Sequence, residues 1–190
     1  MKRFLPIIVA ALAALPGCGY FTNIPAQVVV AEVKAASLVY GEGTTANSIK
    51  IDSPEAVLRT DPGSVGVTFN SINVTYYKID GTAVAATDLP PLKLGMTCHV
   101  DGSQYPSNPL DPANSITQAD QGHKVWVGRT TVTLPIVTRH VEQYGGRTTN
   151  DGNQAGIFAK IVMNGVDDAN FDSSITFFVP IVFSGLPGKS

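Results

Sequence analysis

Two segments near the C-terminus alternate apolar side chains with a period of two residues, and this pattern constrains the fold most. In the first segment every second residue is apolar, namely Ile157, Ala159, Ile161 and Met163. After a polar turn the same holds in the second segment for Ile175, Phe177, Val179, Ile181 and Phe183. Successive side chains of a strand point to opposite faces, so each segment predicts a strand with one buried face.

The same period appears in residues 65–81, but its phase changes once. The residues of the first phase are Val65, Val67 and Phe69, and those of the second are Ile72, Val74 and Tyr76. A change of phase near Asn70 and Ser71 predicts a β-bulge. Asp80 and Gly81 then favour a turn. In the last segment Pro180 has no N–H to donate, which predicts an edge position for its strand there.

Further strands are predicted along the rest of the chain, and no long segment has the 3.6-residue period of an amphipathic helix. Residues 28–40, 47–51, 92–100 and 125–141 are the remaining strand candidates. Many short strands between turn residues indicate an all-β, antiparallel sandwich over residues 26–185, followed by a short tail, 186–190.

Cys98 lies in one of these segments, on the same parity as its apolar neighbours Leu94 and Met96. The pattern predicts that Cys98 points into the core and that His99 points outward. A buried thiol behaves as a small hydrophobic side chain, so no catalytic role is expected for it.

The composition excludes some classes of partner and of chemistry. Charged residues make up 15% of the chain, the net charge is −2, and no basic cluster occurs after the N-terminus. A nucleic-acid partner is therefore not expected. The sequence also lacks GxSxG, HExxH and CxxC patterns, which indicates a non-catalytic protein.

The N-terminus has the order of features found in secretion signals. Lys2 and Arg3 precede an apolar run from Phe4 to Leu15, which is shorter than a membrane-spanning helix requires. The run ends in Leu15-Pro16-Gly17-Cys18, which resembles the lipobox of bacterial lipoprotein precursors. The resemblance implies a signal peptide at residues 1–17, a covalent lipid on Cys18 as the only attached group, and a tether at residues 18–25.

This resemblance also implies a place in the cell. A lipoprotein of this kind is attached to the bacterial cell envelope through its acyl chains. Gly19, not Asp, follows the cysteine, and by similarity to enterobacterial sorting this favours the outer membrane over the inner membrane.

A second resemblance concerns the strands. The stretches VTYYKIDG (74–81), TVTLPIV (131–137) and AKIVMNGVDDANFDSSITFFVPIVF (159–183) are similar to the immunoglobulin-like domains of uncharacterised bacterial envelope lipoproteins. The resemblance implies an immunoglobulin-like β-sandwich. It implies no particular function, because one fold carries many functions.

Two segments lack a strand pattern, residues 101–122 and residues 142–154. They fit solvated insertions, and they also fit binding loops, since long loops often carry function. Tyr105 and Tyr144 lie in them and are candidate binding aromatics. With Tyr76, Tyr77 and Trp126 they could form a face that stacks sugars or binds protein, although such residues also pack in cores.

A weak calcium candidate lies between the last two strands. Asp168, Asn170 and Asp172 have the spacing of the first oxygen ligands in a calcium loop, but the expected glycine and glutamate are replaced by Ser173 and Val179. A plain hairpin turn explains the same residues.

The histidines do not form a metal pattern. His99 and His123 are isolated, and His140 with Glu142 on a predicted strand offers two ligands, too few for zinc.

The sequence therefore predicts a non-catalytic, lipid-anchored envelope protein that acts as a structural or protein-interaction module. Its expected partners are the membrane, through the lipid, and an envelope protein or glycan. The alternative is a carbohydrate- or calcium-binding surface protein that uses the 101–122 and 142–154 loops.

Overall fold

The computed structural model describes residues 25–41, 49–103, 127–148 and 155–185. In this part of the chain there are ten strands and one helix, α1 (Arg139–Thr148). The strands are β1 (Val28–Lys34), β2 (Ala36–Tyr40), β3 (Ile49–Asp52), β4 (Glu55–Thr60), β5 (Val67–Lys78), β6 (Leu92–Leu94), β7 (Cys98–Val100), β8 (Arg129–Thr133), β9 (Ala155–Asp167) and β10 (Asp172–Ser184). The predicted all-β class is confirmed. No helix of the described residues is long and apolar enough to cross a membrane.

The strands form two sheets. A three-stranded sheet has the order β1-β4-β8, and a seven-stranded sheet has the order β3-β2-β10-β9-β5-β6, with β7 also paired to β5. Neighbouring strands are antiparallel except β2 and β10, which are parallel. The chain changes sheets at Ala35, because Lys34 pairs with Glu55 in the first sheet and Ala36 pairs with Ile181 in the second.

One cluster of buried apolar side chains contains residues of both sheets. The inward residues of β9 predicted from the alternation are all buried, and so are those of β10 from Phe177 to Phe183, whereas Ile175 is half-buried. The predicted bulge in β5 is also confirmed, since the pairing of β5 with β9 shifts register between Phe69 and Ser71. The extra residue, Asn70, lets Val67 and Phe69 face the same core as Ile72, Val74 and Tyr76, whereas Val65, before the strand, is exposed.

Cys98 is buried at 6% exposure and His99 beside it is exposed, as the parity predicts. Burial raises the pKa of the Cys98 thiol. The segment is not one strand, however. It is divided into β6 and β7, which pair with different parts of β5 on either side of the bulge.

The edge position predicted for Pro180 is confirmed locally. Pro180 lies opposite Phe158 of β9, and pairing with β2 begins only at Ile181. Among the described strands, β10 thus has one partner at Pro180 and two immediately after it. Proline, which has no N–H to donate, is tolerated at position 180 because no second strand forms hydrogen bonds with β10 there.

The largest correction concerns residues 134–148. The sequence predicts a strand to residue 141 and then a loop, but β8 ends at Thr133 and α1 follows. The Leu134 N–H still donates to the carbonyl of Pro54 at 3.0 Å, but Pro135 has no N–H, so the pairing with the β4 side stops after this bond. The helix buries Val141 and Gly145, one turn apart on the same face.

Close packing against the sheet explains why α1 has a glycine at position 145 despite the low helix propensity of this residue. A Cβ at Gly145 would collide with the Tyr40 hydroxyl and with the ring of Phe183. The helix therefore approaches the seven-stranded sheet more closely than any larger residue would allow. The low helix propensity of glycine hides this element from sequence patterns.

Candidate functional site

A cleft of about 440 Å³ opens on the outward face of the seven-stranded sheet. We call it the aromatic cleft. Its lining residues come from β5, the turn after β5, β9 and β10, and they are Tyr77, Lys78, Ile79, Gly81, Phe158, Lys160 and Phe178. The volume lies within the range typical of ligand pockets.

Strand pairing brings the aromatic residues of the cleft together. Tyr77 is the pairing partner of Phe158, and Lys160 is the partner of Phe178. The rings of Tyr77 and Phe178 meet edge to face, with centroids 6.4 Å apart and planes at 73°. These residues occupy the outward parity of the same strands whose inward parity forms the core, so a rigid sheet holds their positions.

The apolar side chains of the cleft are not covered by the described residues. Phe178 is 52% exposed and Ile79 is 69% exposed. Val182, two residues after Pro180 on the same face, is also among the exposed large apolar side chains. Contiguous exposed apolar surface of this kind marks interaction sites more often than isolated apolar residues do.

The charged side chains in the lining are both lysines. Asp80 lies close to Lys78 but is engaged by Thr82, whose Oγ1 and backbone N–H donate to Asp80 Oδ1 at 2.6 and 2.8 Å. These two hydrogen bonds, more than the charge of Lys78, hold the pKa of Asp80 below its usual value. Lys160 takes part in none of the ion pairs between described residues. The cleft therefore combines aromatic walls with the positive charge of Lys160, which no ion pair between described residues compensates.

The turn between β9 and β10, where calcium was a candidate, is organised by a different residue. The Asp167 carboxylate accepts hydrogen bonds from the N–H groups of Ala26, Ala169 and Phe171. Asn170 adopts φ 65°, which a tight turn requires and asparagine tolerates. The plain hairpin turn thus accounts for the sequence.

The three calcium candidates are all exposed around this turn, namely Asp168, Asn170 and Asp172. Within the described ranges, no group of three or more His, Cys, Asp or Glu side chains is placed to hold a metal ion. The structure therefore lends the calcium prediction no support from a ligand cluster.

The two described histidines, His99 and His140, are not among the residues that line the cleft. His99 lies between Thr68 and Asp101, with Nδ1 2.9 Å from Thr68 Oγ1 and Nε2 3.3 Å from Asp101 Oδ1. His140 and Glu142 lie on α1 and not on a strand, so the prediction that they could face one way is wrong. Residues two apart on a helix differ by about 200° around its axis.

The described residues beside the two predicted loops lie at opposite ends of β9. Ser103, inside the first predicted loop, and Gly128, six residues after it, lie together near the Asp167 end of β9, since both contact Thr60 beside the start of β1. Thr148, the last residue of α1, and Ala155, the residue after the second predicted loop, lie at the other end of β9.

Of the two candidate loop aromatics, the structure describes Tyr144. Tyr144 was predicted in a loop but lies on α1, with its ring centroid 6.4 Å from that of Phe183. Tyr105 lies outside the described residues, as do His123, Trp126 and Cys18.

Two buried tyrosine hydroxyls hold the β8–β9 connection against the sheet. Tyr76 donates to the carbonyl of Ile136 at 2.7 Å, and Tyr40 donates to the carbonyl of Glu142 at 2.6 Å. Burial raises the pKa of Tyr40 to about 12, with a further contribution from Glu142, and burial also raises that of Tyr76. Both phenols therefore stay neutral donors, and Tyr76, a candidate binding aromatic, belongs to the core instead.

Sequence patterns alone did not single out Phe158, Lys160 or Phe178. A signal was nevertheless present, because the outward parity of β9 and β10 carries aromatic residues where a solvated face usually carries polar ones. No protein-family model matches the chain, and no curated protein matches it.

Proposed function

We propose that this chain is a non-catalytic, lipid-anchored interaction module of the bacterial cell envelope, with an immunoglobulin-like β-sandwich as its folded domain. The observation that carries the proposal is the aromatic cleft, an exposed apolar surface built on a rigid sheet. Interface centres are enriched in aromatic residues and depleted in charge, with a polar rim around them.

The pairing order of the strands supports the immunoglobulin-like architecture. In that fold the first, second and fifth strands share one sheet, and the third, sixth and seventh share the other. With β1 and β2 as two parts of a first strand, β1, β4 and β8 match the first set, and β5, β9 and β10 match the second. The additional strands β6 and β7 extend the second sheet beside β5.

The lipobox-like segment supports attachment through Cys18 and a location at the outer membrane. The tether of eight residues, 18–25, spans at most roughly 28 Å when extended. It leads to Ala26, which is bound by Asp167 at one end of β9. Phe158 lies nine residues from Asp167 along β9, about 30 Å at the rise of a strand. The cleft thus lies toward the end of the domain away from the attachment point.

The alternative, a carbohydrate- or calcium-binding protein using the 101–122 and 142–154 loops, requires a different surface. Ser103 and Thr148, the last described residues before the undescribed parts of these segments, lie at opposite ends of β9. The exposed ring of Phe178 and the half-buried ring of Tyr77 are the feature that would favour a sugar, since aromatic faces stack on apolar sugar faces.

The test places a photoreactive amino acid at Phe178 or, as the control, at Thr131, an exposed residue of the three-stranded sheet. After irradiation of intact cells, we expect a discrete protein adduct from position 178 and none from position 131. The adduct should disappear in a second variant with Lys160→Glu. Equal adducts from both positions would contradict the proposal, and an adduct to glycan would favour the alternative.

A further inference from the structure

We propose that the aromatic cleft recognises an acidic protein segment, which places one apolar side chain against Tyr77 and Phe178 and a carboxylate against Lys160. This inference rests on the proposed function and specifies the chemistry of the partner. It follows from the residues that surround the cleft in three dimensions.

The apolar part of the ligand is indicated by the walls of the cleft. Apart from the two lysines, the side chains in the lining are aromatic or aliphatic: Tyr77, Ile79, Phe158 and Phe178. Tyr77 and Phe178 already hold each other edge to face, so the walls are formed before the ligand binds. A preformed apolar pocket favours an inserted aliphatic or aromatic side chain.

The acidic part is indicated by the charges of the outward face around Lys160. The carboxylates of Asp52 and Asp172 lie farther along this face, on β3 and at the start of β10. Outward positions of β5, β9 and β10 near Lys160 carry no carboxylate, and they are Ser71, Asn73, Thr75, Val162, Asn164, Ser174 and Thr176. Lys93 of β6, exposed and paired with Asn73, adds a second positive charge to this face. The chain as a whole has a net charge of −2, so the part of the face around Lys160 and Lys93 is positive against the average of the molecule. Complementary potential of this kind selects partners and speeds association.

Two other occupants fit the same surface less well. A second copy of the chain on a two-fold axis through the cleft would bring Lys160 close to its own equivalent, and like charges oppose such contacts. A sugar needs several hydrogen-bond partners for its hydroxyl groups. The lining offers only the Tyr77 hydroxyl and the two ammonium groups among its side chains, so most sugar hydroxyls would be desolvated without a partner.

The test measures binding of labelled peptides to the full-length protein, purified from membranes in detergent, by fluorescence polarisation. The first peptide has one phenylalanine between glutamates, the second replaces the phenylalanine by glycine, and the third replaces the glutamates by lysines. We expect the first peptide to bind tightest, and its affinity to fall as salt is raised.

The variants then locate the site. Lys160→Glu should weaken binding of the acidic peptide by about tenfold or more, the typical effect of reversing a close charge pair, and should favour the basic peptide. Lys160→Gln, which introduces no repulsion, should show a smaller loss. Lys34→Glu, an exposed lysine of β1, is the matched control and should leave binding within about twofold, since distant surface charges are screened. Phe178→Ser should weaken binding of the first peptide to the level of the glycine peptide.

Each result decides the inference. Equal binding of the acidic and basic peptides, or unchanged binding in Lys160→Glu, would overturn it. Binding of oligogalacturonate, an acidic sugar polymer, without binding of any peptide would assign the cleft to a glycan. If no peptide binds while the adduct at position 178 persists in cells, the interaction module stands and the acidic partner is wrong.

Discussion

Asp167 accepts a hydrogen bond from the backbone N–H of Ala26 at 2.9 Å, although 141 positions separate the two residues in sequence. The other carboxylate oxygen accepts the N–H groups of Ala169 and Phe171, at 2.9 and 2.8 Å. One buried side chain thus closes the β9–β10 turn and fixes the residues just before β1.

The Asp167 contact predicts a specific dependence of stability on pH. Burial alone would raise the pKa of Asp167, but the three N–H donors outweigh it and lower the pKa. A lowered folded-state pKa stabilises the fold above the unfolded pKa of aspartate, and this contribution is lost as the pH falls through the folded value. Urea unfolding between neutral and acidic pH should show this loss in the native protein.

Asp167→Asn should lower the free energy of unfolding by about 1–3 kcal/mol at neutral pH, because the NH2 group of the asparagine side chain would face a backbone N–H donor and could not accept its hydrogen bond. It should also reduce the loss of stability at acidic pH. Asp168→Asn, at the exposed neighbour, is the control and should change little. An unaltered acid profile in Asp167→Asn would show that the carboxylate does not stabilise the turn.

The two adjacent glycines of α1 should respond in opposite directions. A Cβ at Gly145 collides with Tyr40 and Phe183, so Gly145→Ala should destabilise by about 1–3 kcal/mol, as overpacking does. At Gly146 the nearest atom, Cε1 of Tyr40, is 3.5 Å away, so Gly146→Ala should stabilise by up to about 1 kcal/mol through helix propensity. Thermal melts of the two variants compare them directly, and equal shifts would mean that α1 does not pack as described.

The register of β10 predicts different outcomes for neighbouring residues. Phe177 is buried in the shared core, whereas Thr176 is exposed. Phe177→Asp should therefore cost at least about 3–5 kcal/mol, because it removes a core ring and buries an unpaired charge. Thr176→Asp should be mild. Chemical denaturation measures both, and a reversed order would require a strand shifted by one residue.

Cys98 should react slowly in the folded protein. Burial limits access to its thiol and raises its pKa, so little thiolate is present at neutral pH. Maleimide labelling should become fast only after urea unfolding. Cys98→Ala should retain binding to the acidic peptide, and rapid labelling under native conditions would refute the core position of the thiol.

Membrane attachment should depend on Cys18. Cys18→Ala should abolish labelling with a fatty-acid analogue and retention in the membrane fraction together, because acyl chains supply the membrane affinity of such proteins. Mass spectrometry of the mature N-terminus provides the direct measurement. An unmodified N-terminus at Cys18 or beyond it would show an ordinary secretion signal.

The sequence by itself determined the strands whose two faces differ in polarity. A period of two predicts the inward residues of β9 and β10, the bulge beside Asn70 and the burial of Cys98. It does so because the apolar side chains along a strand show which of its faces is buried. Local turn chemistry likewise indicated the turn at Asp80 and Gly81, where Gly81 adopts φ 83°.

Tertiary structure alone decided the features that depend on residues distant in sequence. Helix α1 exists because Tyr40, Gly145 and Phe183 fit together, and isolated helices of this length are marginal. The aromatic cleft exists because pairing aligns Tyr77 with Phe158 and Phe178 with Lys160. Periodicity states which way a side chain points, but only the register between strands determines which side chains meet.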